Sequence, residues 1–300
     1  MPQTTTTANV LGLRLASPVI VGSGLLTDQE RNIRRLLAAG AGAVVTKTIH
    51  PDPPRDLDER IVRLPTGMLN STTYSKRPVA VWLETLRSLA EDGLPVIASV
   101  HANDPHALGV LAERVSGTGC RALELGISCL NEDGGLHDTA DRVRAYTEAV
   151  RGRTSLPISV KLAAGEGLEA RARAAEDAGA DAITLSDSIS GADVLAAGGL
   201  NLGGVFGYSG PGIKPLVLAA VYALRRRGFE LPILGCGGVS DGADVLAYLS
   251  VGSQAVQVYT ALHTDMIATL DRILRETASL LAADENALPF IVGRALRKSS

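Results

Sequence analysis

The sequence has few of the residues that mark metal-bound or disulfide-bonded proteins. It contains three cysteines in 300 residues, and no two of them form a Cys-x-x-Cys pair. Such a count predicts neither a disulfide framework nor a zinc or iron-sulfur site, and it is typical of proteins of the reducing cytoplasm. The five histidines have no metal-ligand spacing on any predicted element, so no metal ligand is assigned.

Charge of one sign and long apolar runs are also scarce. The formal net charge is -3 without a basic block, which argues against nucleic acid or an anionic membrane as a partner. No apolar run reaches the length of a membrane span, and the N-terminus lacks a cationic region followed by an apolar one. The sequence therefore predicts a soluble, unprocessed protein that acts on a small molecule.

Apolar runs of strand length alternate with segments of helical period along the whole chain. The predicted strands are residues 18–21, 43–47, 95–100, 122–125, 158–162, 182–185, 232–234 and 255–258. The predicted helices are residues 29–39, 79–91, 106–115, 139–150, 168–178, 215–227, 241–249 and 266–281. Repeated βα units without a break in composition predict a closed (β/α)8 TIM barrel that forms a single domain over residues 1–300.

Two connections are too long to be simple turns. Residues 48–78 contain Pro51, Pro53 and Pro54, and residues 188–212 contain eight glycines with little periodicity. Loops of this size inside a compact fold are usually functional. Since both follow predicted strands, we interpret them as walls and lids of an active site over the C-terminal face of the barrel. Structural decoration is the alternative.

A thiol follows the fourth predicted strand. The apolar run 122–125 ends at Gly126 and opens into a polar loop that carries Ser128, Cys129 and Asn131. The C-terminal ends of barrel strands are where chemistry is done in this architecture. Cys129 is therefore a candidate functional thiol, and the alternative is a small buried hydrophobe.

Glycines cluster after the seventh predicted strand. Gly237 and Gly238 precede a predicted helix, Tyr259 and Thr260 follow the eighth strand, and residues 207–212 add a third glycine-rich segment. Backbone amides without Cβ atoms at a helix N-terminus suit a dianion, and loops seven and eight of a barrel are a frequent phosphate site. The clusters favour a phosphate ligand over simple tight turns.

Two lysines stand at strand ends among apolar residues. Lys47 closes Val-Val-Thr-Lys, and Lys161 lies in Val-Lys-Leu. A buried charge is costly unless it is paired or meets an anion. Either lysine could form a Schiff base with a carbonyl substrate or stabilise negative charge on a cofactor ring. The residues alone leave both interpretations open.

Several short motifs follow one another along nearly the whole chain. They are Gly22-Ser23-Gly24, Val-Thr-Lys47, Gly67-Met68-Leu69-Asn70-Ser71, Ile-Ser-Cys129-Leu-Asn131, Val-Lys161-Leu, Ser-Gly-Pro-Gly-Ile-Lys214-Pro, Gly-Cys-Gly237-Gly238 and Gln257-Val-Tyr-Thr260-Ala-Leu. As an ordered set they resemble the dihydroorotate dehydrogenase family, specifically its soluble class 1 branch. Members are barrels that bind FMN and move hydride between the flavin and a carbon-carbon bond. Resemblance to this branch also implies a homodimer.

The resemblance implies a role for each matching residue. It assigns Cys129 as the acid/base on the substrate face away from the flavin, with a lysine charge stabilising the reduced flavin. Residues implied to hold the FMN phosphate are Gly210, Gly237, Gly238, Tyr259 and Thr260. Residues implied at the rest of the cofactor are Gly22, Ser23, Lys47, Lys161 and Ser188, and Lys47 is also counted as catalytic.

The chain departs from the family at positions that bind the substrate. The family uses four asparagine amides, of which Asn70 and Asn131 are present. Gly126 and Asp187 stand at the other two positions, and Leu130 replaces the proline after the cysteine. Ser188, beside Asp187, is implied at the substrate.

Losing matched hydrogen-bond partners at a buried site costs ~1–3 kcal/mol each, so orotate binding is expected to weaken. We therefore expect an FMN-dependent CH-CH oxidoreductase acting on another small polar substrate. A genuine dihydroorotate dehydrogenase is the alternative. A flavin-free Schiff-base lyase using Lys161, or a phosphate-binding protein without redox chemistry, is the third hypothesis.

Overall fold

A computed structural model describes residues 7–54, 58–132, 138–284 and 288–297 of the chain. Residues 1–6, which carry most of the N-terminal segment expected to be unprocessed, lie outside these ranges. The strands in chain order are β1 (Ala8–Val10), β2 (Leu13–Leu15), β3 (Val19–Val21), β4 (Ala43–Val45), β5 (Ile61–Leu64), β6 (Gly67–Asn70), β7 (Val96–Val100), β8 (Ala122–Gly126), β9 (Ile158–Ala163), β10 (Ala182–Asp187), β11 (Ile189–Gly191), β12 (Phe206–Ser209), β13 (Ile233–Cys236) and β14 (Ala255–Val258).

Eight of these strands close into a parallel barrel. The order around the barrel is β3, β4, β7, β8, β9, β10, β13 and β14, which then pairs with β3 again. Barrel strands are buried on both of their faces. In β3 and β4, for example, every residue is buried. This burial explains why the strands appear in the sequence as continuous apolar runs.

Helices cover the outside of the barrel, one after each barrel strand. They are α1 (Glu30–Ala38), α2 (Val79–Glu91), α3 (Pro105–Ser116), α4 (Ala140–Arg151), α5 (Leu168–Asp177), α6 (Lys214–Arg226), α7 (Gly242–Ser250) and α8 (Met266–Ala283), followed by the short α9 (Leu288–Ile291). Local sequence fixes several starts, for example that of α3, where Asp104 accepts a hydrogen bond from the Ala107 amide and Pro105 follows the cap. The predicted (β/α)8 barrel is confirmed, and the predicted elements agree with the observed ones to within two residues.

The two long connections contain an additional sheet that the sequence analysis missed. Strands β5 and β6 from residues 48–78 join β11 and β12 from the later connection in an antiparallel sheet. Gly67 allows this pairing, because a Cβ atom there would lie 2.2 Å from Ser209 O. The sheet adjoins the C-terminal ends of the barrel strands, since β11 directly follows β10.

A short hairpin precedes the barrel. Strands β1 and β2 pair antiparallel around Leu11 and Gly12, both of which have positive φ, as a two-residue hairpin turn requires. In the described ranges, no helix has the length and apolar character that a membrane crossing needs.

Candidate active site

A cavity opens at the C-terminal ends of the barrel strands, bounded on one side by the additional sheet. Its volume is about 1230 Å³, including its open mouth. Of the fourteen site residues predicted from sequence, all but Gly210 line it. They are Gly22, Ser23, Lys47, Asn70, Cys129, Asn131, Lys161, Asp187, Ser188, Gly237, Gly238, Tyr259 and Thr260. Residues from distant parts of the sequence therefore share one space.

The loop that carries Cys129 is fastened at both ends. On the strand side, Arg142 of α4 donates from Nε and Nη2 to Ile127 O at 3.2 and 3.1 Å. On the other side, Asn131 Nδ2 donates to Thr72 O at 2.6 Å. These contacts hold the thiol at the cavity wall.

The surroundings of Cys129 favour the protonated thiol. Burial raises its pKa to about 11, and the nearby carboxylates of Asp187 and Glu132 act in the same direction, while a hydrogen bond from the Asn131 amide and the charge of Lys47 oppose them. At neutral pH the group is therefore a proton donor, and it becomes a base only where a positive charge or a bound ligand favours the thiolate.

Lys47 brings to the cavity an amine without a close ion-pair partner in the described ranges. It is 5% exposed, and it makes no direct ion pair with the part of the chain that is described. Burial lowers its pKa, whereas Glu59, Cys129 and Asp28 attract its charge from farther away. A buried cation without a close partner is suited to meet an anionic group of a ligand.

Lys161 is paired, in contrast to Lys47. Its Nζ lies 3.5 Å from Oε1 of Glu124, a residue of β8 whose side chain is 1% exposed. Burial works against the charge of Lys161, but the carboxylates of Glu124 and Asp187 outweigh it and raise its pKa. Lys161 is therefore a permanently charged ammonium group in the cavity wall.

Glu124 is held by a network across the barrel interior. Its Oε2 accepts hydrogen bonds from Thr184 Oγ1 at 2.8 Å and from Gln257 Nε2 at 2.6 Å. Its Oε1 has no hydrogen-bond partner in the described structure. The sequence analysis did not single out Glu124. A lone carboxylate inside a buried apolar strand was the available signal.

Unpartnered backbone amides gather at one end of the cavity. The amides of Gly237, Gly238, Tyr259 and Thr260 donate to no acceptor within the described ranges, and all four residues line the cavity. Thr260 begins a turn of 3-10 helix. Several free N-H groups at element N-termini form an anion-binding surface.

Two close contacts shape this end of the cavity. A Cβ atom on Gly238, whose φ is +70°, would lie 2.7 Å from Gly210 O and 2.8 Å from Lys214 Cβ. Gly210 therefore supports Gly238 from behind. The Tyr259 ring packs against Gly24, and its hydroxyl accepts a hydrogen bond from the Leu26 amide at 3.2 Å, so the backbone of Tyr259 is the part left for a ligand.

The two asparagines predicted to read the substrate are engaged with the protein. Asn131 Oδ1 accepts from the Gly207 amide at 2.9 Å, and Asn70 Nδ2 donates to Gly207 O at 3.3 Å. The two amides also contact each other, with Asn131 Nδ2 donating to Asn70 Oδ1 at 3.3 Å. They join the Cys129 loop to β6 and β12 while still lining the cavity.

Two further cavity residues are the departures from the asparagine pattern. Gly126 and Asp187 both line the cavity. A Cβ on Gly126 would have His101 Cβ at 3.7 Å as its nearest neighbour, so the position has room. Asp187 Oδ1 accepts from the Ser188 amide at 2.8 Å, and its carboxylate otherwise faces the cavity as an acceptor of hydrogen bonds.

A sequence model of the dihydroorotate dehydrogenase family matches residues 5–281 of the chain. Curated relatives carry the name dihydroorotate dehydrogenase B (NAD(+)), catalytic subunit. The relative from Methanocella arvoryzae is 31% identical over 298 residues, which is 97% of this chain and 98% of that protein. Those from Thermococcus kodakarensis and Pyrococcus furiosus are 33% and 32% identical and cover 85% of this chain. The aligned regions span 85% of the first protein and 86% of the second.

Proposed function

Because the chain belongs to the dihydroorotate dehydrogenase family, it is an oxidoreductase of the CH-CH group, and we propose that it does this chemistry with FMN bound in the cavity and Cys129 as acid/base. The observation that carries the proposal is the shared cavity. One thiol, two lysines and a row of free backbone amides line it together. Each group supplies one need of a flavin-dependent hydrogen transfer.

The residues present fit FMN. The free amides of Gly237, Gly238, Tyr259 and Thr260 would hold its phosphate, because they offer several N-H donors at one end of the cavity. Lys47 and Lys161 would face the ring system, and Gly22 and Ser23 would complete that side of the cavity. When bound, FMN supplies the hydride acceptor or donor for the substrate carbon.

The protein's own part of the reaction is a proton transfer. In the oxidative direction the Cys129 thiolate removes a proton from the substrate carbon next to the one that loses hydride. In the reductive direction the Cys129 thiol returns a proton to that carbon. Thiols suit both directions, because their ordinary pKa of about 8.5 lies nearer to neutrality than that of a serine hydroxyl.

The comparisons favour dihydroorotate and orotate as the substrate pair. This was the alternative in the sequence analysis, and it is supported by relatives of that name that span nearly the whole chain. Lys47, the buried cation without a close ion-pair partner, would suit the carboxylate of either compound. We take dihydroorotate as the first substrate to test.

A second candidate is a different small polar substrate, and Gly126 and Asp187 favour it. The carboxylate of Asp187 can accept hydrogen bonds but cannot donate them, unlike an amide. Gly126 leaves open space where a polar side chain would sit. Both features suit a ligand that is larger near Gly126 and presents an N-H group to Asp187.

The lyase hypothesis finds no support in the cavity. A Schiff-base lysine must be present as a neutral amine to attack a carbonyl. Lys161 is paired with Glu124, and the opposite charges around it raise its pKa despite burial. Lys161 is therefore better suited to hold positive charge than to act as a nucleophile.

The name of the relatives also suggests protein partners for this chain. They are called catalytic subunits of an enzyme that uses NAD(+). We propose that this chain likewise passes electrons to a separate polypeptide, and that it forms a homodimer. Copurification of tagged chain from its native source, followed by sizing and an assay of NAD+ reduction, tests both expectations.

Anaerobic titration of the purified protein tests the proposed function. The protein should be yellow, photoreduction should bleach the flavin, and orotate should restore its colour if dihydroorotate chemistry is present. A panel of other small alkenes with N-H groups covers the second candidate. A colourless protein that cannot be loaded with FMN would contradict the cofactor assignment, and reoxidation by other alkenes but not orotate would favour the second candidate.

A further inference from the structure

Tyr74 is a cavity residue that the reaction described above does not use. It lies in the loop after β6, lines the cavity and is 5% exposed. Its ring packs against both His50 and His101, with centroids 4.5 and 4.9 Å away and interplanar angles of 16° and 17°, and the two histidine rings also lie 5.5 Å from each other. The stack fixes the ring, so the position of the hydroxyl is set by packing.

The hydroxyl of Tyr74 lies between an acid and the catalytic thiol. It donates a hydrogen bond to Glu132 Oε2, and Cys129, which lines the same cavity, is near enough to the hydroxyl to raise its pKa. Because the Tyr74 proton is directed to Glu132, the lone pairs of the oxygen are left for the thiol proton of Cys129. The three side chains are therefore neighbours, and one of the two contacts between them is a formed hydrogen bond.

Glu132 connects the three side chains to solvent, where a proton can be released. Its side chain is partly exposed, whereas Tyr74 is buried. The charged groups that act on the Cys129 sulfur are Lys47, Asp187 and Glu132. Of these, Glu132 is the one to which Tyr74 donates a hydrogen bond.

The other neighbours of Tyr74 do not compete for the proton. Burial lowers the pKa of His50 and takes that of His101 to about 4. Both rings are therefore neutral at pH 7 and act on Tyr74 by stacking. The acid-base partners left for the Tyr74 hydroxyl in the described structure are Cys129 and Glu132.

We propose that Tyr74 is a positioning residue that relays a proton between the Cys129 thiol and the Glu132 carboxylate, an inference that rests on the proposed acid/base role of Cys129. The thiol proton of Cys129 passes to Tyr74 Oη as the hydroxyl proton of Tyr74 passes to Glu132 Oε2. The tyrosine is unchanged, a thiolate and a neutral carboxylic acid are formed, and water then removes the proton from Glu132. The reverse sequence reprotonates the sulfur.

The relay makes the effect of Glu132 on the sulfur depend on Tyr74. While Glu132 is ionised it holds the hydroxyl proton, and the thiol form of Cys129 is favoured. When residue 132 is neutral the hydroxyl is free to turn and donate to the thiolate. Hydrogen bonds to charged groups are stronger than those between neutral groups, so this turn favours the thiolate.

The pH dependence of Cys129 alkylation tests the relay without requiring turnover. Iodoacetamide reacts with the thiolate, and the modified peptide can be quantified separately from those of Cys120 and Cys236. In the protein as purified, Glu132→Gln should move the midpoint of the alkylation profile about one pH unit lower, as expected for one hydrogen bond to a charged group. In a Tyr74→Phe background the same change should have less than half of that effect.

A matched control separates the relay from general damage. Tyr146→Phe removes a hydroxyl that donates to Asn103 O at 2.7 Å, from a ring that stacks on His101 at 6.4 Å. It should leave the alkylation profile unchanged. Thermal melting identifies any variant that fails to fold.

The double-variant comparison decides the outcome. An equal shift from Glu132→Gln with and without the Tyr74 hydroxyl would overturn the relay, because the charge would then act directly through space. The absence of any shift would overturn it as well. Lack of activity on dihydroorotate leaves the alkylation result unaffected, so failure of the substrate assignment is distinguishable from failure of the relay.

Discussion

Glu124 Oε1 lies 3.5 Å from Lys161 Nζ, inside the barrel and beneath the cavity. The other oxygen of Glu124 is fixed by Thr184 and Gln257, so the carboxylate cannot turn away from the lysine. The pair places one negative and one positive charge at the cavity floor. A cofactor bound in the cavity would experience the balance of the two charges, because a low-dielectric interior screens them weakly.

Glu124→Gln should raise the midpoint potential of bound flavin. The substitution removes the negative charge but keeps a side chain of the same shape, so Lys161 is no longer compensated and favours the more negative reduced cofactor. We expect an increase of about 30 mV, which for a two-electron couple corresponds to ~1.4 kcal/mol. Equilibration with redox dyes measures it.

Thr184→Val is the matched control for this change. It removes the hydrogen bond to Glu124 Oε2 but leaves both charges in place. Its midpoint potential should stay close to that of the unmodified protein. If both variants shift the potential equally, the effect comes from disturbed packing and the charge of Glu124 is not its cause.

The rate of substrate oxidation should rise with pH. Cys129 must be a thiolate to accept a proton, and burial raises its pKa to about 11. The thiolate fraction therefore increases about tenfold per pH unit below that value. Stopped-flow flavin reduction from pH 7 to pH 10 should show this rising limb, while the reverse reaction, which needs the thiol, should not gain rate with pH. A limb centred near pH 7 would point to another base.

Cys129→Ser should still bind flavin yet turn over at least about a hundredfold more slowly, as expected for the loss of general acid/base catalysis. The reason is that a serine hydroxyl is a far weaker acid than a thiol. Single-turnover flavin reduction measures the rate, and absorbance measures flavin content. Unchanged turnover would remove Cys129 from the mechanism.

Gly238→Ala should weaken flavin binding. A Cβ there would lie 2.7 Å from Gly210 O and 2.8 Å from Lys214 Cβ, so the loop with the free amides must shift. We expect FMN affinity to fall by more than about tenfold, or ~1.4 kcal/mol, as measured by fluorescence titration of the apoprotein. Gly228→Ala is the control, because its φ of +75° is similar and a Cβ there meets no atom within 4 Å. Equal losses in both variants would contradict a specific role for Gly238.

The barrel was predictable because its elements are determined locally. Strand β14 and helix α2 were predicted with their observed ends, since buried parallel strands are short apolar runs and the helices have one apolar face. The convergence of Cys129, Lys47 and Lys161 also follows from this, because parallel strands bring their C-terminal ends to one face.

The parts that escaped prediction depend on contacts between distant residues. The additional sheet pairs β6 with β12 across more than a hundred residues of sequence, and its short strands carry no alternating pattern. Tyr74 was not among the predicted site residues, although it follows Asn70 by four positions. Its place between Cys129 and Glu132 arises only when the loop after β6 meets the loop after β8.

Whether the cavity favours orotate depends on Gly126 and Asp187, and each can be restored to asparagine. At Gly126 a Cβ would have its nearest neighbours at 3.7 and 3.9 Å, which are ordinary contacts. Asparagine at 187 keeps the shape of the present side chain and adds a donor. Neither change should disturb the fold, so any effect on affinity can be attributed to ligand recognition.

The double variant Gly126→Asn, Asp187→Asn should bind orotate more tightly if the natural substrate is a different compound. Two regained hydrogen bonds at ~1–2 kcal/mol each would lower the Kd about a hundredfold, measured by the change in flavin absorbance during titration. Gly126→Ala, which fills space without an amide, should give no gain. If the unmodified protein already binds orotate tightly and the double variant gains nothing, the two departures belong to a genuine dihydroorotate site, and the second substrate candidate is wrong.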